Sequence, residues 1–442
     1  MMTGQEIKEQ DLQYNLHSWS KQGKINPIPV VKSEGIYFWD YDGKRYTDMS
    51  SQLVNMNLGH GNAAIIGAIQ EQAQKLCFIA PSYAVEPRSV LAKMVVDLLP
   101  DNMGKVFFTN GGADANENAV KMARMFTGRN KVFSRYRSYH GSTYGAGNLT
   151  GEPRRYPLEP GIPGFIKFFD PYIYREPIDF DSDEQAAQYY VTKLREQVRY
   201  EGPHNVAAIV LETVTGSNGV IIPPGSYLQG VRKICDDYGI MLICDEVMAG
   251  FGRTGKMFAF EHWNVKPDMV SFAKGVTCGY VPLGGVAVSK EIAEYFNDNT
   301  LLCGLTYSGH PLACAAGVAT VQYYLEHNVL SHVQQVGKIL GSILEDLKVK
   351  HACVGDVRYI GLFSAVELVT DKVSKQPLVE YGEDPKGIMS SILKQLVQRG
   401  FVTYSHENMI IVAPPLIISE SQLVEAMAIL DEVLALVDAE FL

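Results

Sequence analysis

Lys274 ends an apolar run at 268–274, DMVSFAK, and is flanked by Ala273 and Gly275. Most lysines are solvated surface residues. One that is partly desolvated where a buried strand meets a ligand crevice loses proton affinity and becomes a nucleophilic amine, as Schiff-base chemistry requires. Asp245 ends a second apolar run at 240–246, IMLICDE. An acid there either caps a helix or faces a cationic ring nitrogen and keeps its proton in place. Val247, two residues on, can pack under such a ring. A third run, KVFFT at 105–109, leads into Asn110-Gly111-Gly112-Ala113. The glycines let backbone approach a ligand closely. The helical pattern that follows presents free N–H groups and a positive dipole end to an anion. Any one of these features is weak, but the three together at strand ends point to pyridoxal-phosphate chemistry.

Two further segments fit that chemistry. YRSYHGST places Tyr139 and His140 after a short strand, KVFS, where an aromatic can cover the second face of a cofactor ring; core packing is the alternative. GLTYSGHP, 304–311, is a polar, turn-rich loop in which Thr306 can donate to a phosphate. The glycine-rich GFGRTGK, 250–256, has the spacing of a nucleotide phosphate loop. Its lysine, however, is followed by Met257 rather than Ser or Thr, and the loop begins after DEVMA rather than at the strand end. No GxGxxG follows a strand, and no His or Cys spacing suits a metal, so none is expected.

These residues need a scaffold that gathers strand ends. The runs at 105–109, 206–212, 240–246 and 268–274 alternate with helical patterns, and Glu212 ends the second of them. Apolar strands alternating with helices predict an α/β fold, a mostly parallel sheet covered on both faces, with ligands outside the carboxyl ends of the strands. A hairpin is expected around Asp42-Gly43. After about His327 the pattern changes to long helices at 329–347, 385–399 and 420–442 around short strands, a smaller α+β C-terminal domain. The expected division is an N-terminal segment 1–57 packing with the small domain, a large domain 58–326 and a small domain 327–442.

Bulk composition narrows the classes. The chain has 442 residues, 46% hydrophobic and 20% charged, with net charge −10, a balance that argues against a nucleic-acid binder. Seven scattered cysteines without CxxC spacing read as reduced thiols. The start is polar and acidic, and no apolar run approaches the roughly 20 residues of a membrane span, so a cytoplasmic protein without membrane contact is expected.

Across nearly its whole length the chain resembles the class III aminotransferases, pyridoxal-phosphate enzymes of fold type I. The resemblance is carried by YFWDYDGKRYTDM, NLGHG, FFTNGGADANENAVKMAR, YHGST, CDEVMAGFGRTGKMFAFEH, KPDMVSFAKG, TYSGHPLACAA and APPL. It implies that Lys274 bonds the cofactor and shuttles the proton. Asp245 would pair with the ring nitrogen, with Val247 and Tyr139 covering the two ring faces. Gly112 and Ala113 would hold the phosphate, His140 and Glu212 would stand near the cofactor, and Thr306 would reach the phosphate of a neighbouring subunit. That last role implies a homodimer with shared sites; assembly to a tetramer is left open.

Departures from the family pattern bear on substrate. Met248 replaces the glutamine of ornithine and 4-aminobutyrate enzymes. Val54 replaces a tryptophan of many ω-amine enzymes. Tyr404 stands about where many members carry a carboxylate-binding arginine before APPL. Arg137, Arg154 and Arg155 are the candidate replacement cations, with an ordinary ion pair as the alternative for each. The Val54 form of SSQLVNMNLGHG, together with YRSYHGST and TGEPRRYP, looks similar to taurine and β-amino-acid transaminases. The expected reaction moves an amino group from an ω-amino acid, such as taurine or β-alanine, to pyruvate or 2-oxoglutarate. An aminomutase or racemase of the same fold is the alternative, and a non-catalytic relative is the remoter one.

Overall fold

The computed structural model describes residues 2–441; Met1 and Leu442, the outer ends of the expected N-terminal segment and last helix, lie outside the described residues. Seven strands build the main sheet: β1 (Met103–Thr109), β2 (Lys131–Arg135), β3 (Phe165–Phe168), β4 (Val206–Glu212), β5 (Met241–Asp245), β6 (Met269–Phe272) and β7 (Gly284–Ser289). Their order is β1-β7-β6-β5-β4-β2-β3. Strands β3, β2, β4, β5 and β6 pair in parallel. Every residue of β4 and β6 is buried, which is why both read as unbroken apolar runs.

Besides β3, the alternation of runs did not reveal β7. It lies antiparallel between β1 and β6. Two glycines open it, and glycine weakens any strand pattern. Both are required by close approach. A Cβ on Gly284 would lie 2.6 Å from the Gly111 carbonyl oxygen, and one on Gly285 would lie 2.4 Å from the Phe272 ring.

Helix α1 (Gly112–Thr127) crosses from β1 to β2 with Ala115, Ala119 and Met122 buried and Phe126 packed beside them. The expected hairpin forms from Tyr37–Asp40 and Arg45–Asp48. Its second strand pairs in parallel with Phe401–Val402, so the N-terminal strands share a sheet with the C-terminal part of the chain. The other C-terminal strands, Val354–Ile360, Phe363–Asp371, Ser405–His406 and Met409–Val412, form an antiparallel sheet. Helix Val329–Lys350 runs on past the expected end at 347. The helix expected from 385 starts later, as Ile388–Gln398, because Gly387 caps it at φ +68° and Pro385 lies in the turn before it. The last helix is Glu420–Phe441.

The GFGRTGK loop is a buried joint. Arg253 is fully buried and its Nη1 donates to the carbonyls of Leu362 (2.9 Å) and Pro414 (2.6 Å). Its Nη2 donates to Ser51 Oγ (3.0 Å) and Asn57 Oδ1 (2.8 Å). Lys256, which would serve a phosphate loop, is exposed. No helix among the described residues is long and apolar enough to cross a membrane.

Candidate active site

Parallel pairing puts Glu212 and Asp245 side by side as Cα partners at the ends of β4 and β5. Lys274 follows the end of β6, the next strand. All three line a cavity of about 1010 Å³ that also takes in the N-terminus of α1.

Asp245 is 3% exposed and held from three sides. Its Oδ2 accepts from Asn116 Nδ2 (2.7 Å) and pairs with His140 Nδ1 (2.7 Å). Its Oδ1 accepts from the Val247 N–H (3.0 Å). Pairing with a carboxylate makes Nδ1 the protonated nitrogen of His140. Asn116 was not picked out from the sequence, though it stands one helical turn beyond Gly112 and so on the same end and face of α1.

Glu212 accepts from the Tyr139 N–H (2.9 Å) and the Gly216 N–H (2.7 Å). Burial raises its pKa; the His140 charge opposes this and the Asp245 charge adds to it. Lys274 takes a left-handed φ of +45°, a strained conformation for a residue with a side chain. Its residual exposure is to the cavity. Burial pulls its pKa down to about 8, against the opposing pull of Glu212 and Asp245. The amine is therefore free of its proton far more often than a surface lysine.

Gly111 and Gly112 open α1 with no side-chain cap, so the first-turn N–H groups of Gly112 and Ala113 face the cavity. A Cβ on Gly112 would lie 2.8 Å from Val247 Cγ1, so the glycine is what lets Val247 reach this wall. Tyr139, half-buried, lines the same cavity, and its hydroxyl meets Ser142 Oγ at 2.9 Å. Met248 lines it as well. Thr306 is exposed and does not line its own chain's cavity.

Two substrate residues are placed otherwise than expected. Val54 is 1% exposed and packs into the core, while Leu53 and Asn55 form the wall. The backbone turns through left-handed conformations at Ser51, Gln52 and Val54, which rotates the side chains against a simple reading of the sequence. Arg137 does not line the cavity. Its Nη1 pairs with Glu407 Oε2 at 3.0 Å, and Tyr172 and Tyr381 cover its guanidinium. Arg155 pairs with Glu159 (3.0 Å), also off the wall. Of the three candidate cations, Arg154 alone faces the cavity, with Tyr404 also in the wall. Trp19, Glu152 and His406 line it too, and the sequence offered no local signal for them.

A family model described as aminotransferase class-III matches residues 19–434. Taurine–pyruvate aminotransferase of Bilophila wadsworthia is 30% identical, covering 99% of this chain and 98% of that protein. Putrescine–pyruvate aminotransferase of Pseudomonas aeruginosa is 33% identical over 90% of this chain and 88% of its own. Among solved structures, taurine:2-oxoglutarate aminotransferase from Bifidobacterium kashiwanohense, in complex with pyridoxal phosphate and glutamate, superposes with a TM-score of 0.98. It is 54% identical and covers 100% of both chains. The chain belongs to the class III aminotransferases, and its cofactor is pyridoxal 5′-phosphate.

The residues present fit that cofactor. The uncapped first turn of α1 suits a phosphate, and a Cβ at Gly112 would close the space beside Val247. Asp245 is a carboxylate fixed by three donors, the partner a protonated ring nitrogen needs. Lys274 supplies the amine.

Proposed function

We propose that this aminotransferase moves the amino group of an ω-amino acid, such as taurine or β-alanine, to pyruvate or 2-oxoglutarate. It works as a cytoplasmic homodimer. The convergence of Lys274, Asp245 and the uncapped helix end on one cavity is the observation that carries this reading. Named taurine aminotransferases among its relatives and structural neighbours support the donor class.

When bound, pyridoxal 5′-phosphate supplies an electron sink that makes the donor's amine-bearing carbon acidic. Asp245 keeps the ring-nitrogen end charged, while Asn116 and His140 keep Asp245 in place. The N–H groups of Gly112 and Ala113 would hold the phosphate, and Val247 and Tyr139 would cover the ring. Lys274 Nζ, with its pKa at about 8, takes the proton from the donor carbon and releases it within the same cavity. Glu212, tied to the backbone of Tyr139 and Gly216, holds the aromatic cover against the site.

Thr306 completes the phosphate site of the neighbouring subunit; its exposure outside its own cavity supports this. Residues 1–57, 58–326 and 327–442 serve as the N-terminal segment, large domain and small domain. Seven free cysteines fit a reducing compartment. The test is the initial-rate pattern with taurine or β-alanine as varied donor at several fixed acceptor concentrations. The donor's product leaves before the acceptor binds, so double-reciprocal lines run parallel. Intersecting lines would remove the mechanism.

A further inference from the structure

Resting on the reading above, we propose that Arg137 and Glu407 are positioning residues for the reaction. Their ion pair fixes the spacing of two walls of the cavity: the loop that carries Tyr139 and His140, and the hairpin that carries Tyr404, Ser405 and His406.

Neither side chain lines the cavity, yet each stands beside residues that do. Arg137 follows the end of β2 and precedes Tyr139 by two residues. Its own N–H donates to Asp170 Oδ2 (2.7 Å), which holds its backbone in place. Glu407 follows His406 directly, in the turn that leads to strand Met409–Val412. That turn is weakly built. Only Ser405 and His406 pair with the strand, at the edge of the antiparallel sheet. Glu407 takes a left-handed φ of +51°, which costs a residue with a side chain. Arg137 Nη1 donates to Glu407 Oε2 at 3.0 Å, and Arg137 is the one hydrogen-bond partner of this carboxylate among the described residues. The two side chains are 23% and 8% exposed, so solvent screens the pair less than it would at the surface.

The pair belongs to a seam between the main sheet and the C-terminal antiparallel sheet. The Arg137 guanidinium carbon lies 5.1 Å from the Tyr172 ring and 5.2 Å from the Tyr381 ring. The Tyr172 hydroxyl donates to Glu367, which also accepts from Arg175 Nε (2.6 Å) and Arg358 Nη1 (2.7 Å). Arg358 Nε in turn donates to the Gly219 carbonyl (2.7 Å). Those bonds dock the strands of the small sheet as a body. The Arg137–Glu407 pair is the part of the seam that reaches the turn itself. Breaking it leaves the sheet docked, strands one part-buried charge and frees the wall to shift. A misplacement of about 1 Å costs on the order of 100-fold in rate.

The test compares holoenzyme of wild type, Arg137→Met, Glu407→Gln, the double variant Arg137→Met/Glu407→Gln, Arg137→Lys and Arg195→Gln. The kcat/KM values of β-alanine and 6-aminohexanoate, ω-amino acids of different length, are measured with one acceptor and per mole of bound cofactor. In each single neutralising variant the value for β-alanine falls by roughly 10- to 100-fold. The ratio of the two substrates changes by about tenfold, because a displaced wall alters the length the cavity accepts. A merely structural role lowers the folded fraction, affects both substrates alike and leaves the ratio where it was. The double variant strands no charge, so its loss does not exceed that of the worse single variant. Arg195→Gln, which breaks the surface pair with Asp237, matches wild type. Arg137→Lys keeps the charge with a shorter reach, falls between, and carries the test if the neutralising variants do not fold. The proposal is overturned if the ratio stays within about threefold of wild type in the Arg137 and Glu407 variants, or if the two single losses multiply in the double variant. A wild-type enzyme that turns over no ω-amino acid at all would instead remove the functional reading beneath it.

Discussion

Replacing Asp245 with Asn keeps the shape of the side chain and removes its charge, so the structure fixes what must follow. Asp245 accepts from three donors: Asn116 and His140 on one oxygen, and the Val247 N–H on the other. An amide offers one acceptor and one donor. If its oxygen faces Asn116 and His140, its NH₂ group meets the Val247 N–H. If it is turned over, its NH₂ group meets two donors. The first arrangement is the cheaper and leaves one buried N–H without an acceptor, at about 1–3 kcal/mol. Urea unfolding of the apoenzyme should show a stability loss of that size. The chemical effect should be larger. The ring nitrogen loses its anionic partner, and Lys274 loses one of the two carboxylates that support its proton affinity. With cofactor saturating, kcat/KM for the donor should fall by about 10²–10³, the usual loss when a fixed charge at a reacting group is removed. A variant that lost the stability and kept the rate would show Asp245 to be a structural cap, refuting its role at the ring nitrogen.

Other consequences are as direct. Gly112→Ala puts a Cβ 2.8 Å from Val247 Cγ1, so Val247 must shift; the apoenzyme should keep its stability, while activity falls on the order of 100-fold and cofactor is lost on gel filtration. Full retention of cofactor and activity would show that this wall does not hold the ring. In the apoenzyme the folded state depresses the Lys274 pKa from 10.5 to about 8, so the unfolded chain binds more protons between those values and stability rises with pH across that window. Subtracting the unfolding profile of Lys274→Ala isolates this slope, and identical profiles would place the lysine in open solvent. Arg253→Met removes the donor from the Leu362 and Pro414 carbonyls and Asn57 Oδ1, while Ser51 Oγ keeps its bond to the Ala413 carbonyl, and roughly 3 kcal/mol or more should be lost in urea unfolding; a loss below about 1 kcal/mol would contradict the joint described for this loop.

What the sequence made legible follows from the geometry of a parallel sheet. Such strands are buried on both faces, so they read as apolar runs, and polar residues at their ends mark the crevice. Glu212, Asp245 and Lys274 were visible for that reason, as was the Gly111-Gly112 opening of α1. The pocket wall was less visible. Val54 turned inward because its neighbours adopt left-handed backbone conformations that hydrophobic patterning does not encode. The choice between Arg137 and Arg154 was decided by Glu407, which lies far away in the chain and neutralises Arg137. Trp19 and His406 reach the cavity from opposite ends of the chain, a placement only the tertiary fold determines. β7 escaped notice because its glycines serve close contacts with Gly111 and Phe272 rather than strand propensity.

The central claim is that Lys274 is the amine that bonds pyridoxal 5′-phosphate in this cavity. Reduction of the holoenzyme with borohydride, followed by peptide mass mapping, tests it most directly. The account predicts loss of the visible absorbance band, with the reduced cofactor fixed on the peptide containing Lys274, and no fixed label in Lys274→Ala. A label on another lysine, or a band that survives unchanged in Lys274→Ala, would contradict it.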